Sequence, residues 1–207
     1  MAISNQGING GFSGKVGNVI GYWSRGKWII RSKPIVSAKM KAGSSLQRAF
    51  RSRFSSLNAF IKPLLPFIRL GFKNHAEANG QSAYNAAMSH NLKHAFDAEG
   101  NLVAEQVCLS YGPLELPIDL QIHKDDAGIH ITWEDGPYTS NSLARGNDLL
   151  MAVAYNLDTK EVVMDSSLAR RNAGNATMLL ENAEGYEVWI SFVSDDRKWV
   201  SGVSYNN

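Results

Sequence analysis

The chain has 207 residues, 44% of them apolar, and carries 21 Lys/Arg against 19 Asp/Glu for a formal charge of +2. That length suits one large or two small domains, and a single cysteine, Cys108, excludes an intramolecular disulfide scaffold. No apolar run reaches the length of a membrane span: the densest, residues 59–70, is broken by Lys62, Pro63, Pro66 and Arg69.

The near-neutral total hides a division. Residues 1–76 hold 13 Lys/Arg and no carboxylate, whereas residues 77–207 hold 8 Lys/Arg and all 19 Asp/Glu. A split this complete suggests two regions with different partners. Residues 1–14 lack the charged start and apolar core of a conventional signal peptide. Cytoplasmic synthesis without such a leader is therefore expected, with assembly or specialised export open for the final location.

In chain order, residues 7–34 come first: seven glycines, five cations and the aromatics Tyr22, Trp23 and Trp28, with no carboxylate. Residues 15–22 and 27–31 read as two strands joined by the turn Trp23-Ser24-Arg25-Gly26, which predicts a hairpin. The glycines inside the first run suggest a bulge or a close backbone approach. The stretch is not a Walker A loop, because Gly14-Lys15 is followed by Val16 and not by a hydroxyl. Nor is Gly11-Phe12-Ser13-Gly14 a nucleophile elbow, since its second glycine falls one place early. A docking element is the better reading, with Lys15, Tyr22, Trp23, Arg25, Lys27, Trp28 and Arg31 as the partner-binding residues.

The run Gly14-Lys15-Val16-Gly17-Asn18-Val19-Ile20-Gly21-Tyr22, followed by Gly26-Lys27 and by Ile30-Arg31-Ser32 with Pro34, resembles the opening of a bacterial family of unknown function with an N-terminal G-K-V-G-N-V-[IV]-G motif. The resemblance covers the whole chain and implies a Gln- and Arg-rich helix next, then a β-rich domain. It implies no activity.

A connector follows, residues 35–43, with Lys39 and Lys41. Ser44 or Ser45 can cap a helix, and Leu46, Phe50, Phe54, Leu57 and Phe60 recur at helical spacing. Phe50, Phe54 and Phe60 are expected to pack in a core. Pro63 and Pro66 should end this helix near Ile61 and start a second, kinked piece that runs to Leu70. Residues 73–81 read as a polar loop, and Ser82 opens another helix. His90 and His94 sit four apart on its surface, a spacing that can bind metal. The zincin pattern needs Glu after the first His, however, and Asn91 stands there. A solvated pair of histidines is the expectation.

After Leu102 the pattern changes to alternation. Strands are expected at 107–111, 118–123, 129–133, 149–155, 162–165, 176–180, 186–194 and 199–205, with polar turns between most of them. Short strands at this spacing predict a β-sandwich. The pattern resembles a fibronectin type III or related immunoglobulin-like module, which implies that Trp133 is the early-strand core tryptophan and Tyr186 the tyrosine of a tyrosine corner. Residues 137–147 form the longest connection and a candidate binding loop. The expected fold is thus α+β: a basic N-terminal region, residues 1–101, of a β-hairpin and two or three helices, then an acidic β-sandwich, residues 102–207.

No catalytic, cofactor or metal constellation is read. The acid pairs Asp125-Asp126, Asp195-Asp196 and Glu134-Asp135 fall in predicted turns, and His123 and His130 are expected to face outward. The leading functional expectation is a non-enzymatic, self-assembling structural protein, such as a filament, virion or secretion-apparatus component, in which the basic region docks on a neighbouring copy or partner. Nucleic-acid binding through the same region is the alternative. A surface adhesin or carbohydrate-binding module is a further one.

Overall fold

The computed structural model describes residues 2–4, 10–35, 43–136, 138 and 140–206. Gly7, Lys39 and Lys41, along with Pro137 and Thr139 of the candidate binding loop, lie outside the described residues. The chain divides into two compact units, residues 1–47 and 48–207, and the fold is mixed α+β.

The first unit is an antiparallel sheet of β1 (Ala2–Ser4), β2 (Phe12–Val16), β3 (Val19–Ser24) and β4 (Lys27–Ser32), in that order. The expected first strand is in fact two strands. Val16 pairs with Val19, so Gly17 and Asn18 make a two-residue turn, with Gly17 at φ +53. Where a bulge or a close backbone approach is expected of the glycines in this run, Gly17 instead supplies the left-handed position that a tight hairpin turn requires. The second turn falls between Ser24 and Lys27, which pair, and puts Arg25 (φ 50) and Gly26 (φ 74) both in the left-handed region. Positive φ at both central residues gives the twist that hairpins favour. Gly21 permits a close approach: a Cβ there would stand 2.7 Å from the Phe12 ring.

The second unit has three layers. The helical layer holds α1 (Ser45–Ile61, which begins at the end of the first unit), α2 (Leu65–Gly71), α3 (Lys73–Ala78) and α4 (Ala83–His94). A 3-10 turn, Lys62–Leu64, links the first two, with Pro63 placed where a missing N–H costs nothing. Ser82 caps α4, its hydroxyl accepting from the Asn85 amide at 3.2 Å. Residues 73–78 are helical where a loop was expected; the run Lys-Asn-His-Ala-Glu-Ala contains neither Gly nor Pro to break it, and Ala76 is buried.

The middle layer is a four-stranded sheet in the order β11 (Ser204–Asn206), β10 (Tyr186–Val193), β7 (Leu149–Asn156) and β8 (Val162–Asp165). The outer layer is three-stranded, in the order β5 (Ile118–Asp125), β6 (Gly128–Glu134) and β9 (Asn175–Leu179). All neighbours are antiparallel. Strands β7 and β10 are buried on both faces. Met151, Val153, Tyr155, Trp189 and Val193 meet Leu57, Phe60, Ile61 and Ile68 of the helical layer. Leu150, Ala152, Ala154, Val188, Ile190 and Phe192 meet Ile129, Ile131, Trp133 and Met178 of the outer sheet. That is why β7 reads Leu-Leu-Met-Ala-Val-Ala-Tyr, a nearly continuous apolar run instead of an alternation. The change of period after Leu102 falls inside this unit.

Two expected strands differ. Residues 107–111 pair with helices and side chains instead of a sheet: Val107 accepts from the Trp189 indole (3.1 Å), Cys108 bonds the Asn91 amide through both its N–H and C=O (2.7 and 2.8 Å), and the Tyr111 amide donates to Gly71 (2.8 Å). The last strand is short because Ser201 turns its hydroxyl onto the Phe192 amide (2.9 Å), within a buried cluster with Ser191 and Ser110.

Candidate docking site

Register decides which residues of the first unit can act together. Directly paired residues share a face, and successive residues alternate. The pairs Lys15↔Ile20, Ile20↔Arg31, Tyr22↔Ile29 and Ser24↔Lys27 put Lys15, Tyr22, Lys27 and Arg31 on one face. The Arg31 guanidinium lies 5.6 Å from the centre of the Tyr22 ring, a cation–π contact. The pairs Val16↔Val19, Gly21↔Ile30 and Trp23↔Trp28 build the opposite face. There Trp23 and Trp28 meet edge to face, with ring centres 5.0 Å apart. Arg25 occupies the turn between the two tryptophans. Of the seven residues singled out, four thus share a cationic face, two an aromatic face, and one lies at the tip.

Both faces carry accessible apolar surface. Trp23 is 56% exposed, Trp28 40% and Ile30 60%, and every residue of β4 is exposed. Each such aromatic can bury roughly 150–250 Å² against a partner.

The start of α1 adds a second apolar stripe. Leu46, Phe50 and Phe54 are exposed, Phe50 at 58%, and burial begins only at Leu57. The expected core role therefore holds for Phe60 and fails for Phe50 and Phe54: helical spacing identifies a face but not how far along it a partner layer extends. The exposed half is nonetheless a well-specified helix. Ser44 and Gln47 form a reciprocal capping box, the Ser44 amide donating to the Gln47 side chain (3.0 Å) and the Gln47 amide to the Ser44 hydroxyl (3.2 Å). Arg53 lies over the Phe96 ring at 5.7 Å.

In the second unit the candidate binding loop, residues 137–147, contributes one wall of a cleft at one end of the paired sheets. Its volume is about 220 Å³, and it is lined by residues 115–118 before and at the start of β5 and by Gly136, Tyr138, Ser142 and Ala144 between β6 and β7. Arg171 forms its base. The guanidinium is buried, stands 4.5 Å from the centre of the Phe192 ring, and donates to the Glu115 carbonyl oxygen. Its Nε lies 3.5 Å from Asp148. Burial pushes the Asp148 carboxyl above the usual carboxylate range, while Arg171 and the Arg145 amide oppose that shift. Tyr138 donates to Asp135, and burial together with that carboxylate pushes the phenol up to about 12. Arg171 and Asp148 are far apart in sequence and follow no spacing rule, so only the fold brings them together.

The histidines are more crowded than a solvated pair. The His90 and His94 rings are 4.8 Å apart, Tyr111 lies 5.3 Å from His90 and 5.0 Å from His75, and His75 adds charge from α3. Burial first, then His94, His75 and Lys93, hold His90 below the usual histidine value. Among the described residues no group of three or more His, Cys, Asp or Glu is arranged to hold a metal ion. His123 faces His130 across β5 and β6, and the His130 Nε2 lies 3.0 Å from Asp125. Cys108 is largely buried, which pushes its thiol up to about 11. Among the described residues, no helix is long and apolar enough to cross a membrane.

Residues 11–206 match the family of unknown function DUF6266, and the chain belongs to that family. No curated protein matches it, and no solved structure does.

Proposed function

We propose that this member of a family without an assigned function is a non-enzymatic structural protein that assembles through its basic N-terminal sheet. The observation that carries the reading is the sheet itself: one layer, with Trp23, Trp28 and Ile30 exposed on one face and Ile3 and Ile29 on the other. A sheet of this size gains stability by burying a face on a second layer, and among its described residues the first unit holds none. Charge favours an acidic partner, since no carboxylate occurs before Glu77. A neighbouring copy supplies one, its residues 77–207 holding 19 carboxylates against 8 cations. Strand β4 ends the sheet and can accept a further strand. Filament, virion and secretion-apparatus components all fit such a contact.

The same reading takes the paired sheets as a fibronectin type III-like module. Support comes from the strand orders β5-β6-β9 and β11-β10-β7-β8, from Trp133 buried on the second strand of the module, and from Tyr186 buried at the start of β10.

A second reading, nucleic-acid binding, draws on the shared face of Lys15, Tyr22, Lys27 and Arg31, which combines phosphate-pairing cations with a ring on which a base can stack.

Light scattering separates the two. The full-length chain is expected to gain mass with concentration at low salt. A chain lacking residues 1–34 is expected to stay monomeric. Exposed charge contacts weaken as the Debye length falls from ~10 Å at 0.1 M salt to ~3 Å at 1 M, so association should weaken without vanishing. A full-length chain that is monomeric at high concentration and low salt sinks the assembly reading. If that chain then shifts single-stranded DNA with a steep salt slope, the second reading replaces it.

A further inference from the structure

The cleft at the end of the paired sheets has the properties of an acceptor for the hairpin tip. Its walls mix apolar side chains, Leu116, Pro117, Ile118 and Ala144, with the polar groups of Glu115, Ser142 and Arg171, and Leu116, Ile118, Tyr138 and Leu143 at or beside it are exposed, Ile118 at 53%. A cavity of ~150 Å³ lined by apolar groups holds a benzene ring, so the 220 Å³ here has room for one aromatic side chain. The rim is acidic. Glu115 lines one wall and Asp119 follows it, and Ile118 pairs with Glu134, which is followed by Asp135. Of the nearby cations, Arg171 is paired with Asp148, and Arg145 donates to the carbonyls of Ser142 and Ala144; of the acids, Glu115 accepts from Ser142 and the Ala144 amide and Asp135 from Tyr138.

The hairpin tip has the opposite character. Its turn is only two residues long, the Trp23–Trp28 pair stands directly behind it, Arg25 sits in the turn and Lys27 on the opposite face of β4, with no carboxylate in the strands. Aromatic and cationic side chains that fill desolvated pockets are the usual anchors of an interface, and complementary charge raises the rate of encounter.

We propose that this cleft receives the Trp23–Trp28 hairpin tip of a second copy of the chain. The inference rests on the assembly reading and names its acceptor surface. Tip and cleft are different surfaces, so the contact between copies is heterologous. Such contacts form rings or open filaments instead of closed two-fold dimers.

Mixing full-length variants tests it. A tip variant, Trp23→Ser with Trp28→Ser, and a cleft variant, Ile118→Lys with Glu134→Lys, alter exposed positions, and circular dichroism should show each still folded. Light scattering should find each variant alone monomeric, with association weakened by about tenfold or more, equivalent to ~1.4 kcal/mol. The equimolar mixture should stop at two chains, because the tip variant offers only a cleft and the cleft variant only a tip. A charge exchange gives an independent check: Glu134→Lys should weaken association, and Lys27→Glu in the partner should restore it. If the tip variant is monomeric while the cleft variant assembles like wild type, the cleft is the wrong acceptor and the assembly reading stands. If the tip variant assembles like wild type, the tip is not the donor and this contact fails; the assembly reading fails with it only if a chain lacking residues 1–34 also assembles like wild type.

Discussion

Arg171 and Asp148 form an ion pair almost wholly out of water: their side chains are 3% and 2% exposed, and Nε and Oδ2 are 3.5 Å apart. The Arg171 backbone is fixed as well, its N–H donating to the Asp148 carbonyl (2.7 Å) and its own carbonyl accepting from the Trp133 indole (2.6 Å). The pair therefore ties the 3-10 turn Arg171–Ala173 to the connection before β7 and to the core tryptophan.

Breaking that pair from one side leaves a buried charge, which costs about 3–5 kcal/mol. Arg171→Met should destabilise the protein by that order. Without the guanidinium, the Asp148 carboxyl rises further above its unfolded value. A raised carboxyl pKa means that the folded state binds the extra proton, so the penalty is full at neutral pH and relieved as pH falls toward the unfolded value of ~4. Urea unfolding at pH 7 and pH 5 should show the gap from wild type narrowing. A gap that stays constant or widens would show that Asp148 is not the residue left uncompensated.

Asn91 is fully buried on α4 and makes three hydrogen bonds, to the Ala87 carbonyl (3.0 Å) and to both backbone groups of Cys108. Asn91→Leu removes the side chain that pairs with both the Cys108 N–H and its C=O. Each buried group left unsatisfied costs ~1–3 kcal/mol, so a loss of roughly 2–4 kcal/mol in chemical denaturation is expected. Loss of the 107–111 anchor should also speed the reaction of the Cys108 thiol with a thiol reagent under native conditions.

His90 is held below the ordinary histidine value by burial and by the positive groups His94, His75 and Lys93. Its folded pKa lies below the unfolded one, so the unfolded chain takes up the proton more readily. The stability contributed by neutral His90 is complete above the unfolded value of ~6.5 and declines as pH falls below it. Thermal melts at pH 7.5 and 5.5 should show this decline, and His90→Gln should reduce it. An unchanged pH dependence in the variant would place the effect elsewhere.

Phe60 packs edge to face on Tyr155 and Trp189, with ring centres 5.2 and 5.8 Å away. Phe60→Ala should cost about 3–5 kcal/mol. Residues 48–207 are expected to unfold in one cooperative transition. Residues 102–207 alone would leave Tyr155 and Trp189 bare and are expected to bind a hydrophobic dye. A dye-negative, cooperatively folding 102–207 fragment would show that the helical layer is dispensable.

Much of this architecture could be read from the residues. The alternation of Ile129, Ile131 and Trp133, and the turns with Gly or Asp between runs, place six strands of the second unit within a residue or two at most ends. Pro63 and Pro66 locate the helix breaks. The failures have physical causes. The helix at residues 73–78 is short and weakly patterned, held by packing instead of propensity. Residues 107–111 look like a strand because they are apolar, yet their backbone groups are claimed by Asn91 and Trp189. Phe50 and Phe54 repeat the spacing of Leu57 without sharing its burial. The seven docking residues were legible as a cluster, but their sorting onto two faces depended on the turn at Gly17-Asn18, which resets the register of every residue after it. Of the cleft, the loop 137–147 was legible as a long connection, but not its other wall, residues 115–118, nor Arg171, because these segments meet only after both sheets have formed.

The two-sided burial of β7 and β10 has a consequence for the order in which the second unit comes apart. They are the two central strands of their sheet, paired along their shared edge and roofed above and below by side chains. Solvent reaches them only after the helices or the outer sheet have lifted away. Their backbone deuterium uptake should be the slowest in the chain and should match global unfolding, while β5, β8 and β9, at sheet edges, exchange earlier. The indole of Trp189, bonded to Val107 on the helical side, would then act as a clock for that last event: its emission should shift only when the innermost strands open.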